Sequence, residues 1–289
     1  MGQKEVSVIE TKLSTHTLDA LYLRDKNLVD EVMGQMTFTD AMFYHIMGVA
    51  PSPGQRAILD AVLVTLMEHG FTPSAIAARM TYLSAPEALQ SAVAAGLLNV
   101  ANQFIGTMEN AAKILSEIDA DPDGNDAASR RIVQQHRDQG QHMPGFGHHL
   151  HRPDDPRTPK LFAIAMAHDD INKKPIEMIQ RLGSTVDQIY DKHLTINATG
   201  ATAAVLMGAG IPIGIMRGFA VISRAAGLVA HVMEEQVSPT GRHIWDLIDG
   251  SIPYTGEALK KTTKHLPERP YAGKRSHQEH SDHNRPPAD

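Results

Sequence analysis

The residues best suited to chemistry form one stretch of fourteen, PGFGHHLHRPDDPR. Gly145 and Gly147 let the backbone approach a ligand closely and adopt a positive φ. Arg152 and Arg157 offer forked donors that suit phosphate or carboxylate, and His148 can donate or accept a proton near neutral pH. The stretch therefore predicts an anion-binding loop, with an ordinary solvated turn rich in Gly, Pro and charge as the alternative.

Metal chemistry has weaker support in the sequence. No HExxH or similar pair of ligands occurs at a defined spacing, so no metal site is predicted. The acidic segment 119–126 resembles the start of a calcium loop, but the twelfth position is Arg130 instead of the bidentate Glu that such a loop needs. Five of the sixteen histidines crowd together, at His136, His142, His148, His149 and His151.

Composition limits the class of protein. The net charge of −6 without a Lys/Arg block disfavours nucleic acid as a partner. The absence of Cys excludes disulfides and thiolate metal sites and fits a reducing compartment. No basic leader opens the chain and no apolar run approaches the roughly 20 residues of a membrane span. We expect a cytoplasmic protein without a membrane partner.

Helical periodicity dominates the elements that must position these residues. Leu59, Val62 and Leu66 recur at spacings of three and four, which predicts one helix face with His69 at the end of the helix. The segment 70–73, GFTP, ends that helix.

A second helix is expected to begin near Pro86, in a first turn that tolerates Pro, and to run into Gly106. Few segments alternate in the manner of strands, so the fold class is predicted to be all-α. The apolar stripe expected on this helix is Leu89, Val93, Leu97, Val100 and Phe104.

The spacing within the fourteen-residue stretch resembles that of a known loop. A Gly-x-Gly-His sequence, followed nine residues after its His by the Arg of Asp-Pro-Arg, is similar to the adenine-wrapping and catalytic loop of the citrate synthase superfamily. Further matches run in the same order as in that superfamily, from about residue 12 to about residue 256. The resemblance implies a CoA thioester as substrate and no permanently bound cofactor. It implies CoA binding by Pro144, Gly145, Phe146, Gly147 and Arg152.

The same resemblance implies a large helical domain formed by residues 1–104 and 206–265 and a smaller helical domain over residues 105–205. From residue 266 onward the chain is polar, Pro-rich and without apolar period, so residues 266–289 are expected to be a disordered tail.

Two segments resemble the citryl-CoA lyases of the superfamily, including the C-terminal domain of ATP-citrate lyase, more than the synthases. Glu68-His69-Gly70 resembles the lyase segment Asp-His-Gly, whose His binds a substrate carboxylate. Phe104 occupies the place where a synthase carries the His that polarises acetyl-CoA.

A segment after residue 240 also resembles the lyases more than the synthases. The segment GRHIWD, which contains Arg242, resembles the lyase Tyr-Arg-His-Pro-Trp-Asp. Asp249-Gly250 stands where a synthase carries Arg-Pro, just before Tyr254.

A further anion ligand is expected on a helix. Ser223-Arg224-Ala-Ala-Gly227 resembles the family helix that supplies a carboxylate-binding Arg. Burying an unpaired Arg is costly, so a bound anion is a natural partner, and an Arg that extends to solvent is the alternative. The resemblance implies carboxylate binding by His69, Arg157, Arg224 and Arg242, the last of these from a neighbouring subunit of a homodimer or a multiple of dimers.

The chain departs from the family at the catalytic Asp. Counting 25 residues back from Arg224 leads to Thr199. A Thr hydroxyl can donate a hydrogen bond but cannot act as a carboxylate base near pH 7. The implied catalytic residues are His148, Thr199 and His69, and the missing base is replaced by His149, His193 or Asp191, or is not needed.

These residues predict a carbon–carbon lyase of the citryl-CoA lyase type, which cleaves a 3-hydroxyacyl-CoA to an acyl-CoA and a keto acid. One alternative is a condensing enzyme or another CoA-ester enzyme, such as a hydrolase. Another is a catalytically silent protein that binds CoA esters or partners.

Overall fold

The computed structural model describes residues 9–255, and within them the fold is all-α, as predicted. The described residues form eleven helices: α1 (Phe38–Met47), α2 (Pro53–Met67), α3 (Pro73–Ser84), α4 (Leu89–Leu98), α5 (Thr107–Ala120), α6 (Asn125–Asp138), α7 (Arg157–Met166), α8 (Lys174–Tyr190), α9 (Ala198–Gly208), α10 (Ile213–Val237) and α11 (Gly241–Ser251).

A small antiparallel sheet precedes the helices. Its strands are β1 (Ser14–His16), β2 (Leu21–Leu23) and β3 (Lys26–Asn27), in the order β1-β2-β3. A single π-helical turn, Leu28–Val32, follows. The strands are short and β1 is exposed, so the sheet is an appendage of a helical fold.

Helix α2 forms as the periodicity predicted. A capping box between Ser52 and Gln55 begins the helix, and its side chains Leu59, Val62 and Leu66 are buried. The helix ends at Met67, just before Glu68 and His69.

The core is centred on α9, which is buried on nearly all sides by α5, α7, α8 and α10. Its small side chains allow close approach. A Cβ at Gly200 would overlap the carbonyl oxygen of Gly145 and lie 2.9 Å from the Gly145 Cα. The loop that contains Gly145 therefore rests directly on the backbone of α9.

Helix α10 is long and apolar enough to cross a membrane by length and composition alone. It nevertheless packs against α2, α3, α4 and α5, and it buries Arg224, His231 and Glu235 beside its apolar residues. We therefore interpret α10 as a core helix.

The prediction for α4 was wrong in its length and its buried face. The helix ends at Leu98, Pro86 lies in the preceding loop, and Phe104 is exposed. The inward face carries Ala92 and Gly96 instead of the large apolar residues. A Cβ at Gly96 would meet the side chain of Leu228 on α10 and the backbone of α3, so close packing between these helices selects the small residues.

The described chain divides into two compact units, one ending at Pro239 and the other beginning at Thr240. The predicted division into a discontinuous large domain and a small domain over residues 105–205 stays a prediction. The predicted tail, residues 266–289, lies outside the described residues.

We expect Gly200→Ala to destabilise the protein by about 1 to 3 kcal/mol, since the new methyl group meets backbone that cannot move cheaply. Gly218→Ala is the matched control. Apart from the backbone of α10 itself, no atom of residues 9–255 lies within 4 Å of its Cβ position, so this change should be neutral or should stabilise by up to about 1 kcal/mol. Urea unfolding of both variants measures the difference, and equal stabilities would contradict the tight contact.

Candidate functional site

The loop between α6 and α7 is tied to the start of α9. Gly145 and Gly147 have φ values of 86° and 75°, in the left-handed region that glycine tolerates. The Gly147 N–H donates to the carbonyl oxygen of Thr195 (2.8 Å), and the Asn197 N–H donates to that of Gly145 (3.0 Å). These bonds fix the loop backbone at the N-terminus of α9.

Asn197 joins the loop and the helix through its side chain. Its Oδ1 accepts the N–H groups of Thr199 (3.1 Å) and Gly200 (3.0 Å), which caps α9. Its Nδ2 donates to the carbonyl oxygen of Gly147 (2.9 Å). Any shift of the helix start therefore moves the loop.

Thr199 uses its hydroxyl within this network. Its Oγ1 donates to Asn197 Oδ1 at 2.7 Å and lies 2.8 Å from Oγ1 of Thr107. A hydroxyl has one proton to give, so that of Thr199 is engaged in holding the start of α9.

Asp155 is a fully buried carboxylate beside the same helix start. Arg157 donates to both of its oxygens, from Nε (2.9 Å) and Nη2 (2.8 Å). The backbone N–H groups of Arg157 (3.1 Å) and Ala198 (2.9 Å) add two more hydrogen bonds. Burial opposes ionisation, but the hydrogen bonds from the side chain and N–H of Arg157 lower the pKa of Asp155 to about 2. Arg157, predicted to bind a substrate carboxylate, is thus paired already, and only its Nη1 makes no hydrogen bond within residues 9–255.

Four histidines meet at His69, where the chain leaves α2. Its ring centroid lies 5.3 Å from that of His148, 5.5 Å from that of His151 and 6.4 Å from that of His149. His148 and His151 stack with centroids 4.4 Å apart. The Nε2 atoms of His69 and His151 lie 3.3 Å apart. The structure thus brings together His69 and His148, which the sequence separates by almost eighty residues.

The hydrogen bonds of His148 set its tautomer. Its Nδ1 accepts the N–H groups of Leu150 (3.1 Å) and His151 (3.0 Å), so Nδ1 carries no proton. Burial, followed by repulsion from His151 and His149, lowers the pKa of His148 to about 4. At neutral pH the ring is therefore uncharged and its Nε2–H is a hydrogen-bond donor.

One ring nitrogen from each of His69, His148 and His151 lies within 4.8 Å of the other two, a spacing that can hold a metal ion. Local spacing rules could not find this group because its members come from distant segments. The tautomer of His148 does not suit a metal, since the Nε2 lone pair that would bind it is occupied by a proton.

Arg224 is a buried cation whose charge is little compensated by hydrogen bonds or ion pairs. Its side chain is 4% exposed, and its Nε has no hydrogen-bond partner within residues 9–255. Its Nη1 makes one long contact, 3.4 Å, to Oγ1 of Thr72. Burial lowers the pKa of Arg224, and the charge of Glu68 opposes this. A guanidinium in this setting suits a bound carboxylate.

Glu68 orients the start of the histidine cluster. Its Oε1 accepts the N–H groups of His69 (2.7 Å) and Gly70 (2.6 Å), and its Oε2 lies 2.9 Å from Nε2 of His231. Burial raises the pKa of Glu68, but the hydrogen bonds from His231 and from these N–H groups lower it by more, so the net shift is downward.

Sequence reasoning missed the charged network behind Glu68. Arg79 on α3 is fully buried and donates to Nδ1 of His231 (3.0 Å) and to Glu235 (2.7 Å), and it also pairs with Glu234. Its guanidinium packs 4.9 Å from the ring centroid of Phe71. An Arg within an Ala-rich helix was the signal available in the sequence.

The loop residues predicted to bind CoA lie in different settings. The side chain of Phe146 is buried in the core against Gly183, so its backbone is the part left for a ligand. Pro144 is half-buried and Arg152 is exposed.

Three further candidates make contacts with other residues than the clustered histidines. His193 is exposed and pairs with Asp187 (2.6 Å) and Asp154 (3.2 Å), which raise its pKa. Asp191 is the exposed C-cap of α8. Arg242 belongs to the unit that begins at Thr240, where it pairs with Asp246 of its own helix.

Asp155 should make stability depend on pH. Its folded pKa of about 2 lies below the unfolded value, so its contribution of about 2 kcal/mol is complete above pH 5 and is lost as the pH falls from about 4 towards 2. Asp155→Asn should remove this loss and lower stability at pH 7 by about 3 kcal/mol. Asp169→Asn, at an exposed site, is the control. Thermal unfolding across this pH range measures the loss of stability. If Asp155→Asn lost as much stability at acid pH as the wild type, the role of Asp155 would be refuted.

Comparison with known proteins identifies the family of the chain. The sequence model of the family described as "Citrate synthase, C-terminal domain" matches residues 9–245. A putative citrate synthase 2 from Mycobacterium tuberculosis is 27% identical over 190 residues, which cover 64% of this chain and 49% of that protein. A probable ATP-citrate synthase subunit 1 from Neurospora crassa is 25% identical over 215 residues, which cover 68% of this chain and 31% of that protein. The chain thus spans about half or less of the length of these relatives.

Solved structures match over more of their length. The citryl-CoA lyase from Hydrogenobacter thermophilus is 28% identical with a TM-score of 0.75, and the match covers 90% of this chain and 98% of that one. ATP citrate lyase from Methanothrix soehngenii, solved with citrate and coenzyme A, shares the fold at 17% identity and a TM-score of 0.68, over 92% of this chain and 43% of that one. Since the family match extends over nearly all of the described residues, the chain belongs to the citrate synthase family.

Proposed function

We propose that this protein is a CoA-thioester carbon–carbon lyase of the citryl-CoA lyase type, which cleaves a 3-hydroxyacyl-CoA into an acyl-CoA and a keto acid. The observation that carries the proposal is the neutral His148, whose Nε2–H donor stands in a glycine loop beside His69. The likeness to a citryl-CoA lyase over 98% of that chain supports the same reaction type.

The proposed reaction breaks one carbon–carbon bond. The 3-hydroxyl loses its proton and becomes the keto oxygen, while the electron pair of the broken bond forms the enolate of the departing acyl-CoA. A fixed donor that meets the enolate oxygen lowers the barrier, because negative charge develops there. His148 Nε2–H is the donor we assign to this oxygen.

Substrate carboxylates would be held by the cations around the histidines. Arg224 is the strongest candidate because it is buried and poorly compensated. His69 and Nη1 of Arg157 offer further donors. Arg152, exposed on the loop, suits a phosphate of CoA, and the backbone of residues 144–147 suits the adenine.

The remaining features of the proposal are expectations drawn from the sequence. We propose a cytoplasmic homodimer, or a multiple of dimers, in which Arg242 reaches the site of the neighbouring subunit. The substrates are small molecules, and no permanently bound cofactor is needed.

His148→Ala should lower kcat by about 10² to 10⁴ fold and leave KM for the CoA ester nearly unchanged, because it removes the donor to the enolate. Arg152→Ala should mainly raise KM. A panel of 3-hydroxyacyl-CoAs, followed by mass spectrometry of the products, supplies the assay. Equal effects of both variants on KM alone would contradict the role of His148.

Thr199→Asp tests whether position 199 still serves the family reaction. The new carboxylate would face Asn197 Oδ1, which now accepts the Thr199 hydroxyl, so we expect weaker capping of α9 and lower native activity. Citryl-CoA cleavage by the variant, compared with the wild type, decides the matter. A variant that gains this cleavage and loses nothing else would show that the site lacks only its carboxylate.

A second candidate function is a silent binder of CoA esters, which the absence of a carboxylate at position 199 favours. Such a protein would be stabilised thermally by CoA esters without forming products. Release of a keto acid, detected with a coupled dehydrogenase, excludes it.

A further inference from the structure

The proposed cleavage needs a group that takes the proton of the 3-hydroxyl. Position 199 holds Thr, and its hydroxyl is already donated to Asn197. If the proposed function holds, another side chain must accept that proton.

The carboxylates beside the histidine cluster are committed elsewhere. Both oxygens of Asp155 accept hydrogen bonds, from Arg157 and Ala198. Glu68 accepts two backbone N–H groups and lies against His231. Hydrogen bonding lowers the pKa of both carboxylates, which makes each a weak base.

We propose that the His69–His151 pair is the proton acceptor that replaces the missing carboxylate. The two Nε2 atoms lie 3.3 Å apart, so one ring donates its Nε2–H to the Nε2 lone pair of the other. It follows that one of the two Nδ1 atoms has a free lone pair while the other carries a proton. No Nδ1 hydrogen bond of either ring is found within residues 9–255.

The pair can accept a proton and later release one, so it ends the reaction in its starting protonation state. The pair accepts the hydroxyl proton, the carbon–carbon bond breaks into a keto group and an enolate, and the pair returns a proton to the enolate carbon. One O–H and one C–C bond break while one C–H bond and the carbonyl π bond form, so no further reactant is needed. His148, stacked on His151, holds the enolate oxygen meanwhile.

The surroundings disfavour the charged form of His69. Burial first, and then the charge of Arg157, lower the pKa of His69, whereas Asp155 opposes this. The other titratable groups that face the pair are His148 and His149. His151 is therefore the second ring of an acceptor and not an isolated surface histidine.

Two variants of His151 test the pair. His151→Ala should lower kcat by about 10² fold or more with little change in KM, and added imidazole should restore part of the turnover. His151→Gln keeps a polar side chain beside His69 but cannot carry a proton, so it should be as slow and should not respond to imidazole. His142→Ala, at an exposed histidine of the same loop, should match the wild type. Circular dichroism confirms that each variant is folded.

The outcomes separate this inference from the function on which it rests. An active wild type with His151→Ala and His151→Gln within about threefold of it would overturn the pair and leave the lyase proposal standing. Loss of wild-type activity on chelation, with recovery on adding Zn²⁺, would replace the pair by a metal site and also overturn it. A wild type that binds CoA esters but cleaves none of the 3-hydroxyacyl-CoAs would overturn both. Rescue of His151→Ala by imidazole supports both.

Discussion

The buried carboxylate of Asp155 is the interaction on which the site depends. Removing a carboxylate from water is costly, and here hydrogen bonds from Arg157 and the Ala198 N–H compensate the lost hydration. The backbone N–H of Asp155 donates to Oγ1 of Thr195, which precedes α9. One side chain thus joins the end of the glycine loop, the first residue of α7 and the first turn of α9. The ion pair also consumes most of the binding capacity of Arg157, so it decides how much of that cation remains for a substrate.

A second network of hydrogen bonds and ion pairs lies behind the cluster. Glu235, Arg79, His231 and Glu68 follow one another in hydrogen-bond or ion-pair contact. The buried charges of Arg79 and Glu235 compensate each other, whereas Arg224 has no carboxylate in direct ion-pair contact within residues 9–255. This imbalance suits a bound carboxylate, which would supply the missing partner.

Hydrogen bonding, more than residue type, decides whether each of these histidines is a donor or an acceptor. Two backbone N–H groups make His148 a donor at Nε2. The direct contact between His69 and His151 leaves one free lone pair on that pair of rings. The imidazoles of His69, His148 and His151 therefore divide into one donor and one hydrogen-bonded pair with a free lone pair, although each ring has the same chemistry in water. The proposed lyase reaction needs one group of each kind.

The sequence by itself determined the helical class, the inward face of α2 and the glycine loop with His148, because these follow from local periodicity and backbone freedom. It also determined that position 199 carries no carboxylate. Only the tertiary structure decided that α4 buries Ala92 and Gly96, since close helix packing outweighs the burial of larger side chains. It alone placed Phe146 in the core and His151 against His69. Long-range contacts of this kind depend on how distant segments fold together, and no local spacing in the chain records them.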